Sequence, residues 1–161
     1  MTDKQNPLGR RDALNLMWTA AGALVVGELS FVGLKFLSPQ KTDGEFGGAF
    51  NLGPAEGFPN GSVTPIEAGR FYLVRLEDGG LMAMYRKCTH LGCAVPYEPT
   101  QGQFVCPCHG SAFDLNGDVQ NAPAPRALDL FQITIEDGNI LVDTGKVIER
   151  GQTTSADIIY T

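Results

Sequence analysis

The four cysteines and two histidines of this chain all fall in two short runs, CTHLGC at residues 88–93 and CPCHGS at residues 106–111. Two thiolates and two imidazoles can bind one metal site, and the two remaining thiols can close a disulfide over it. Iron and zinc both accept these ligands, so ligand type leaves a 2Fe-2S cluster and a mononuclear zinc site open. Cys88 and His90 are one residue apart in the chain, Cys106 and His109 two apart, and fifteen residues separate the halves. A structural zinc site more often opens with two thiolates in a C-x(2 to 4)-C knuckle. The C-x-H and C-x-x-H pattern suits a split cluster better, each loop giving a Cys to one iron and a His to the other. A zinc module leaves the extra cysteine pair without a reason. Two structural disulfides with two surface histidines would not explain the clustering.

The two runs resemble the cluster-binding loops of the Rieske iron-sulfur proteins. Cys93 and Cys108 are similar to the extra cysteines of the disulfide-bearing branch found in quinol-oxidising cytochrome bc and b6f complexes. The resemblance implies one 2Fe-2S cluster, with Cys88 and Cys106 on the inner iron, His90 and His109 on the outer iron near the tip, and Cys93 paired with Cys108. Two neutral imidazoles leave a cluster less negative than four thiolates would, which places such centres at roughly −150 to +300 mV.

The resemblance also implies a reaction. Quinol in a pocket of a cytochrome b-type membrane subunit donates a hydrogen bond to His109, the catalytic imidazole, and gives one electron to the cluster as the imidazole takes a proton. The second electron goes to a b haem, and a c-type cytochrome or comparable acceptor oxidises the head. The chain supplies neither quinone pocket nor haem ligands, so it is expected to be one redox subunit of a dimeric membrane complex in a respiratory or photosynthetic chain.

Further roles carry over by position. Ser111, directly after CPCHG, aligns with a serine that donates to a bridging sulfide and raises the potential. Phe113 stands where high-potential relatives usually carry a tyrosine bonded to a ligand sulfur, and its missing hydroxyl implies a lowered potential suited to menaquinol. Ala122, Pro123, Ala124 and Pro125 resemble a proline loop, usually GPAP, that covers the cluster. With Leu91, Gly92 and Pro107 they are expected to form an apolar docking rim around the histidines.

A membrane anchor is expected to carry this head. Residues 14–37 are a largely apolar run of twenty-four, and at about 1.5 Å per residue such a helix spans a hydrocarbon core of about 30 Å. Lys35 lies near the end and can snorkel its amine outward, whereas an ionised Glu28 inside the run would cost a few kcal/mol unless it faces protein or is protonated. The alternatives are a soluble amphipathic helix and a cleaved signal peptide, but Phe36-Leu37-Ser38-Pro39 is a poor cleavage site.

Lys4, Arg10 and Arg11 precede the run, so residues 1–13 are expected in the cytoplasm and the head on the periplasmic or outer side of a bacterial cytoplasmic membrane. GRRDALN at residues 9–15 resembles a twin-arginine export signal, with Ala13 in place of the common bulky residue. Export would put the head where a disulfide persists.

Residues 38–51 are polar and contain Pro39 and three glycines, Gly44, Gly47 and Gly48, and are expected to form a flexible hinge. In the resembled complexes the head swings on such a tether. Residues 52–145 are expected to form the head, one modest core's worth of chain. Its strand signals are read as alternating apolar runs at residues 71–76, 81–85, 128–135 and 140–143. Asp78-Gly79-Gly80 and Asp137-Gly138-Asn139 supply the turns. The expected fold is all-β, an antiparallel Rieske-type sandwich with an inserted cluster-binding subdomain at about residues 86–124. Residues 146–161 are read as a C-terminal extension that adds a late strand or binds a partner.

Composition argues against nucleic acid. From residue 38 onward eight Lys or Arg stand against fifteen Asp or Glu, opposite in sign to a phosphate-binding surface. The competing functions are a Rieske electron-transfer subunit of another exported oxidoreductase, such as a molybdenum enzyme, and a non-redox metal-binding module.

Overall fold

The structure, a computed structural model, describes residues 9–38 and 46–161. Residues 1–8 of the expected cytoplasmic tail, with Lys4, and residues 39–45 of the expected hinge lie outside the described residues. The chain divides into two compact units, Met1–Gln40 and Lys41–Thr161.

The first unit holds one helix, α1 (Arg10–Leu37), of 28 residues, about 42 Å long at 1.5 Å per residue. It starts four residues before the expected anchor, so Arg10 to Ala13 are helical. Asp12 sits in the first turn, where a carboxylate suits the helix dipole. At the other end the Ser38 hydroxyl donates to the Leu34 carbonyl at 2.7 Å, just before Pro39 removes the next backbone donor. None of its residues is buried, and by length and composition it can cross a membrane.

The second unit carries ten strands: β1 (Ala49–Pro54), β2 (Ser62–Ile66), β3 (Phe71–Arg75), β4 (Leu81–Tyr85), β5 (Tyr97–Glu98), β6 (Gln103–Val105), β7 (Ala112–Phe113), β8 (Val119–Asn121), β9 (Leu130–Glu136) and β10 (Asn139–Ile148). All pairings are antiparallel. One sheet has six strands in the order β1-β10-β9-β4-β3-β2, and the other has four in the order β5-β6-β7-β8. The Phe50 ring of β1 packs edge-on against Phe71 of β3, with centroids 5.7 Å apart. Three strands lie between them in the sheet order, so the larger sheet curls back on itself.

The β3–β4 hairpin departs from the expected alternation. Four successive residues are buried on each strand, Phe71 to Val74 and Leu81 to Met84. Phe71, Leu73, Leu81 and Ala83 enter a core with Phe50, Phe131, Ile140 and Val142. Tyr72, Val74, Met82 and Met84 enter a second core with Phe104, Phe113, Leu128, Cys88 and Cys106. A strand buried on both faces reads as a continuous apolar run rather than an alternating one. The hairpin is therefore a shared wall between the larger sheet's core and the core under the metal-binding loops.

Two expected boundaries shift. Residues 49–51, assigned to the hinge, belong to β1, and Phe50 is buried. The tail takes the first of its two expected roles, with the boundary moved: β10 runs to Ile148 beside Leu130 and Phe131, and Ile159 exchanges backbone hydrogen bonds with Leu81. A bulge between Asp143 and Val147 lets β10 keep β9 as neighbour after a register break. The Asp137-Gly138 turn works as the sequence indicates, with φ of 49° and 78° matching the left-handed pair that a two-residue hairpin favours.

Gly69 makes the packing testable. A Cβ there would collide with the Phe71 ring, which Phe50 and Phe131 hold with centroids 5.7 and 5.9 Å away. Gly69→Ala is expected to destabilise the head by about 1–3 kcal/mol, read as a lower midpoint in denaturant unfolding.

Candidate metal centre

Residues 88–93 and 106–111 form two loops with the same local construction. Each is closed at its base by an antiparallel pair, Lys87 with Ala94 and Val105 with Ala112. In the first loop the Cys88 N–H donates to the Cys93 carbonyl and the Gly92 N–H to the Cys88 carbonyl, at 2.8 and 2.9 Å. In the second the Cys106 N–H donates to the Ser111 carbonyl and the Gly110 N–H to the Cys106 carbonyl, at 2.8 and 3.0 Å. The tight return needs φ of 79° at Gly92 and 75° at Gly110, which glycine adopts without strain. Cys88 and Cys106 thus occupy equivalent first positions.

These two thiols are buried and unlinked. The Cys88 thiol is pushed above its ordinary range by burial; the N–H groups of His90 and Leu91 oppose that rise, and the neighbouring Cys106 adds to it. The imidazoles lie farther out, His90 half-buried and His109 exposed. Their ring centroids are 4.9 Å apart and nearly perpendicular. Two buried sulfur donors beneath two outward nitrogen donors form a set suited to iron, sulfur ligands deep and imidazoles at the tip.

Cys93 and Cys108 form a disulfide, as the resemblance implies, joining the two loops. The sulfurs of Cys93, Cys106 and Cys108 lie within 4.8 Å of one another. Two of those three are consumed in the disulfide, so this grouping is not a ligand set.

Ser111 is fully buried, and its Oγ accepts from the Ala124 N–H at 3.0 Å, which leaves its own O–H available as a donor. Phe113 is fully buried in the core that holds Cys88 and Cys106. Leu91, at 70% exposure, stands clear of the fold beside His90. Gly92, Pro107, Ala122, Pro123 and Pro125 are exposed as well, but Ala124 is not. It faces inward and packs in the core with the two thiols, which removes it from the expected docking rim. The Ala122–Pro123 peptide is cis.

Several residues that position the loops carry no sequence signal. The Thr89 hydroxyl donates to the Arg126 carbonyl at 2.7 Å, and the Asn121 amide donates to the Gly110 carbonyl at 2.8 Å. The Tyr72 hydroxyl donates to the Val95 carbonyl and accepts from the Tyr97 N–H, pinning the chain that leaves the first loop. Arg126 pairs with Asp129, which holds its guanidinium above the usual range. A polar tip on a strand that is otherwise apolar, as at Tyr72, is the one hint available beforehand.

A family model described as the Rieske [2Fe-2S] domain matches residues 49–132, and the chain belongs to that family, whose members hold a 2Fe-2S cluster. Among its relatives, a cytochrome b6-f complex iron-sulfur subunit 2 from Nostoc sp. is 33% identical over 156 residues, covering 87% of this chain and 88% of the relative. A cytochrome b6-f complex iron-sulfur subunit from Prochlorococcus marinus is 35% identical over 151 residues, covering 84% of each. A solved structure described as a hyperthermophilic respiratory Complex III contains a chain that is 25% identical, with a TM-score of 0.53 over 78% of this chain and 98% of that one.

The disulfide closes a separation of 15 residues, for which loop-closure entropy is worth about 3 kcal/mol. The double variant Cys93→Ser/Cys108→Ser is expected to lose about that much in equilibrium urea unfolding of the detergent-solubilised chain.

Proposed function

We propose that this chain is the Rieske subunit of a quinol-oxidising membrane complex of the cytochrome b6f or bc type, with Cys88, His90, Cys106 and His109 as its metal ligands. What carries the reading is the pair of disulfide-joined loops in a chain that aligns over most of its length with cytochrome b6-f iron-sulfur subunits. When bound, the cluster supplies a one-electron acceptor whose potential the imidazoles raise.

The chain's own residues divide the remaining work. His109 is exposed, so it is the imidazole that can meet quinol, accept its hydrogen bond and take its proton. Leu91 and Pro107 stand exposed in the same two loops and offer apolar surface to a cytochrome b-type partner, keeping water from the contact. Cys88 and Cys106 stay buried behind the imidazoles. Ser111 has an uncommitted O–H and serves as a hydrogen-bond donor that favours added negative charge at the centre. With the cluster bound, a c-type cytochrome or comparable acceptor in a dimeric complex would be the partner that takes its electron.

Helix α1 acts as a single-pass anchor. Arg10 and Arg11 at its start favour a cytoplasmic N-terminus and a head on the outer face of a bacterial cytoplasmic membrane. GRRDALN serves twin-arginine export, which suits a head folded around its metal before translocation. A disulfide between Cys93 and Cys108 fits the oxidising side. Phe113 keeps an aromatic ring against the thiol core without a hydroxyl to donate, which suits a lowered potential and menaquinol as the electron source.

A potentiometric EPR titration of the native membrane complex, with b and c haem absorbance followed in parallel, tests the assignment. The expected outcome is a reduced Rieske signal with b-haem reduction when quinol is added. The same signal without b haem would move the chain to another exported oxidoreductase, such as a molybdenum enzyme. Phe113→Tyr is expected to raise the midpoint and Ser111→Ala to lower it. A wild-type midpoint as high as those of tyrosine-bearing relatives would exclude the menaquinol reading.

A further inference from the structure

The tail after β10 opens on a buried cation, Arg150. The Arg150 side chain is 4% exposed, and burial pushes its guanidinium below the ordinary range against the raising influence of Asp157, Asp118, Asp114 and Asp129. A buried charge is costly unless each donor finds an acceptor. Arg150 meets that demand with groups from three segments. Nε donates to the Leu128 carbonyl, Nη1 to the Thr153 hydroxyl and Nη2 to the Asn116 carbonyl.

Neighbouring bonds extend the same junction. The Thr153 hydroxyl also donates to the Asn116 carbonyl, and the Thr153 N–H donates to Asp118. Asp118 belongs to the turn that follows Phe113, a turn capped by Asp114 through the N–H groups of Asn116 and Asp118. On the other side the Ala127 N–H donates to the Gly151 carbonyl and the Leu128 N–H to the Gly117 carbonyl. Gly117 lies against the guanidinium so closely that a Cβ would come within 2.6 Å of Nη2, at a φ of 81°.

The segment Arg150 holds is the one that reaches the metal-binding loops. Residues 124–128 touch the second loop where Ala124 donates to Ser111. They touch the first where Arg126 accepts from Thr89. Leu128 packs in the core with Cys88 and Cys106.

We propose that Arg150 is a positioning residue for the cluster site: its guanidinium ties the C-terminal segment to residues 116 and 128, and so fixes the strap that sets Ser111 and Thr89 beside the metal. The proposal rests on the family's cluster being bound between those loops. Loss of Arg150 removes a positive charge from the domain and loosens the Ser111 donor, and both changes disfavour the reduced, more negative state. Their signs agree, so the midpoint falls.

The test uses the full chain in its native membrane complex, with Arg150→Met, Arg150→Lys and Thr153→Val. Arg150→Met is expected to lower the midpoint, shift the reduced EPR g-values and release iron to a chelator several-fold faster than wild type. Arg150→Lys keeps the charge but not the three-way geometry, so a smaller midpoint drop with the same g-value shift is expected. Should Arg150→Met fail to accumulate, Thr153→Val decides, with a lowered midpoint expected. A variant that keeps the wild-type midpoint, g-values and iron retention while only its thermal midpoint falls makes Arg150 merely structural and overturns the inference. Absence of a Rieske signal from wild type would instead remove the functional reading on which this one stands.

Discussion

The β3–β4 hairpin has no solvent face along most of its length, and the arrangement of the head follows from that. Each of its eight successively buried side chains serves one core or the other. Burying a large aliphatic or aromatic side chain is worth about 1.5–3 kcal/mol, so neither core can be weakened at this wall without disturbing the strand that frames its neighbour. Tyr72 shows the coupling directly: its ring packs with Phe104, its hydroxyl pins Val95 and Tyr97, and its backbone pairs with Met84 in the larger sheet.

Against that wall the cysteines take two chemical fates. Cys93 and Cys108 are near enough to bond and do so, joining the loops covalently. Cys88 and Cys106, at the equivalent first positions of the loops, remain thiols in a desolvated core. Desolvation disfavours a bare thiolate, and a metal reverses that preference by supplying positive charge. The different histidine offsets, third residue of one loop and fourth of the other, bring the two imidazoles together.

The site was more legible in the sequence than the frame that carries it. Two runs holding every cysteine and histidine of the chain point to a metal site without reference to any fold, and the Asp137-Gly138 turn announces its hairpin through backbone preference alone. Strand β1 carries a weak strand signal because AFNLGP contains a glycine and a proline, and β2 because SVTPI carries Pro65, tolerated at an edge. Strands of two or three residues, such as β5 and β7, hold too few positions to show a period. The run FYLV fits an alternating strand by sequence, because two-sided burial depends on what packs from elsewhere in the chain. Ala124 and Arg150 face inward for the same reason, through partners that local sequence does not announce.

Strand order also sets a timetable for synthesis. Among the described residues β1 is the first strand of the head to leave a ribosome, yet the strand it pairs with is β10, the last. Residues 55–138 must all emerge before that pairing can form, and Ile159 later closes on Leu81. Pairings this distant along the chain bear their closure entropy before any contact rewards it. A nascent head halted before β10 would hold both metal-binding runs and the strands of the smaller sheet while its larger sheet still lacked an edge.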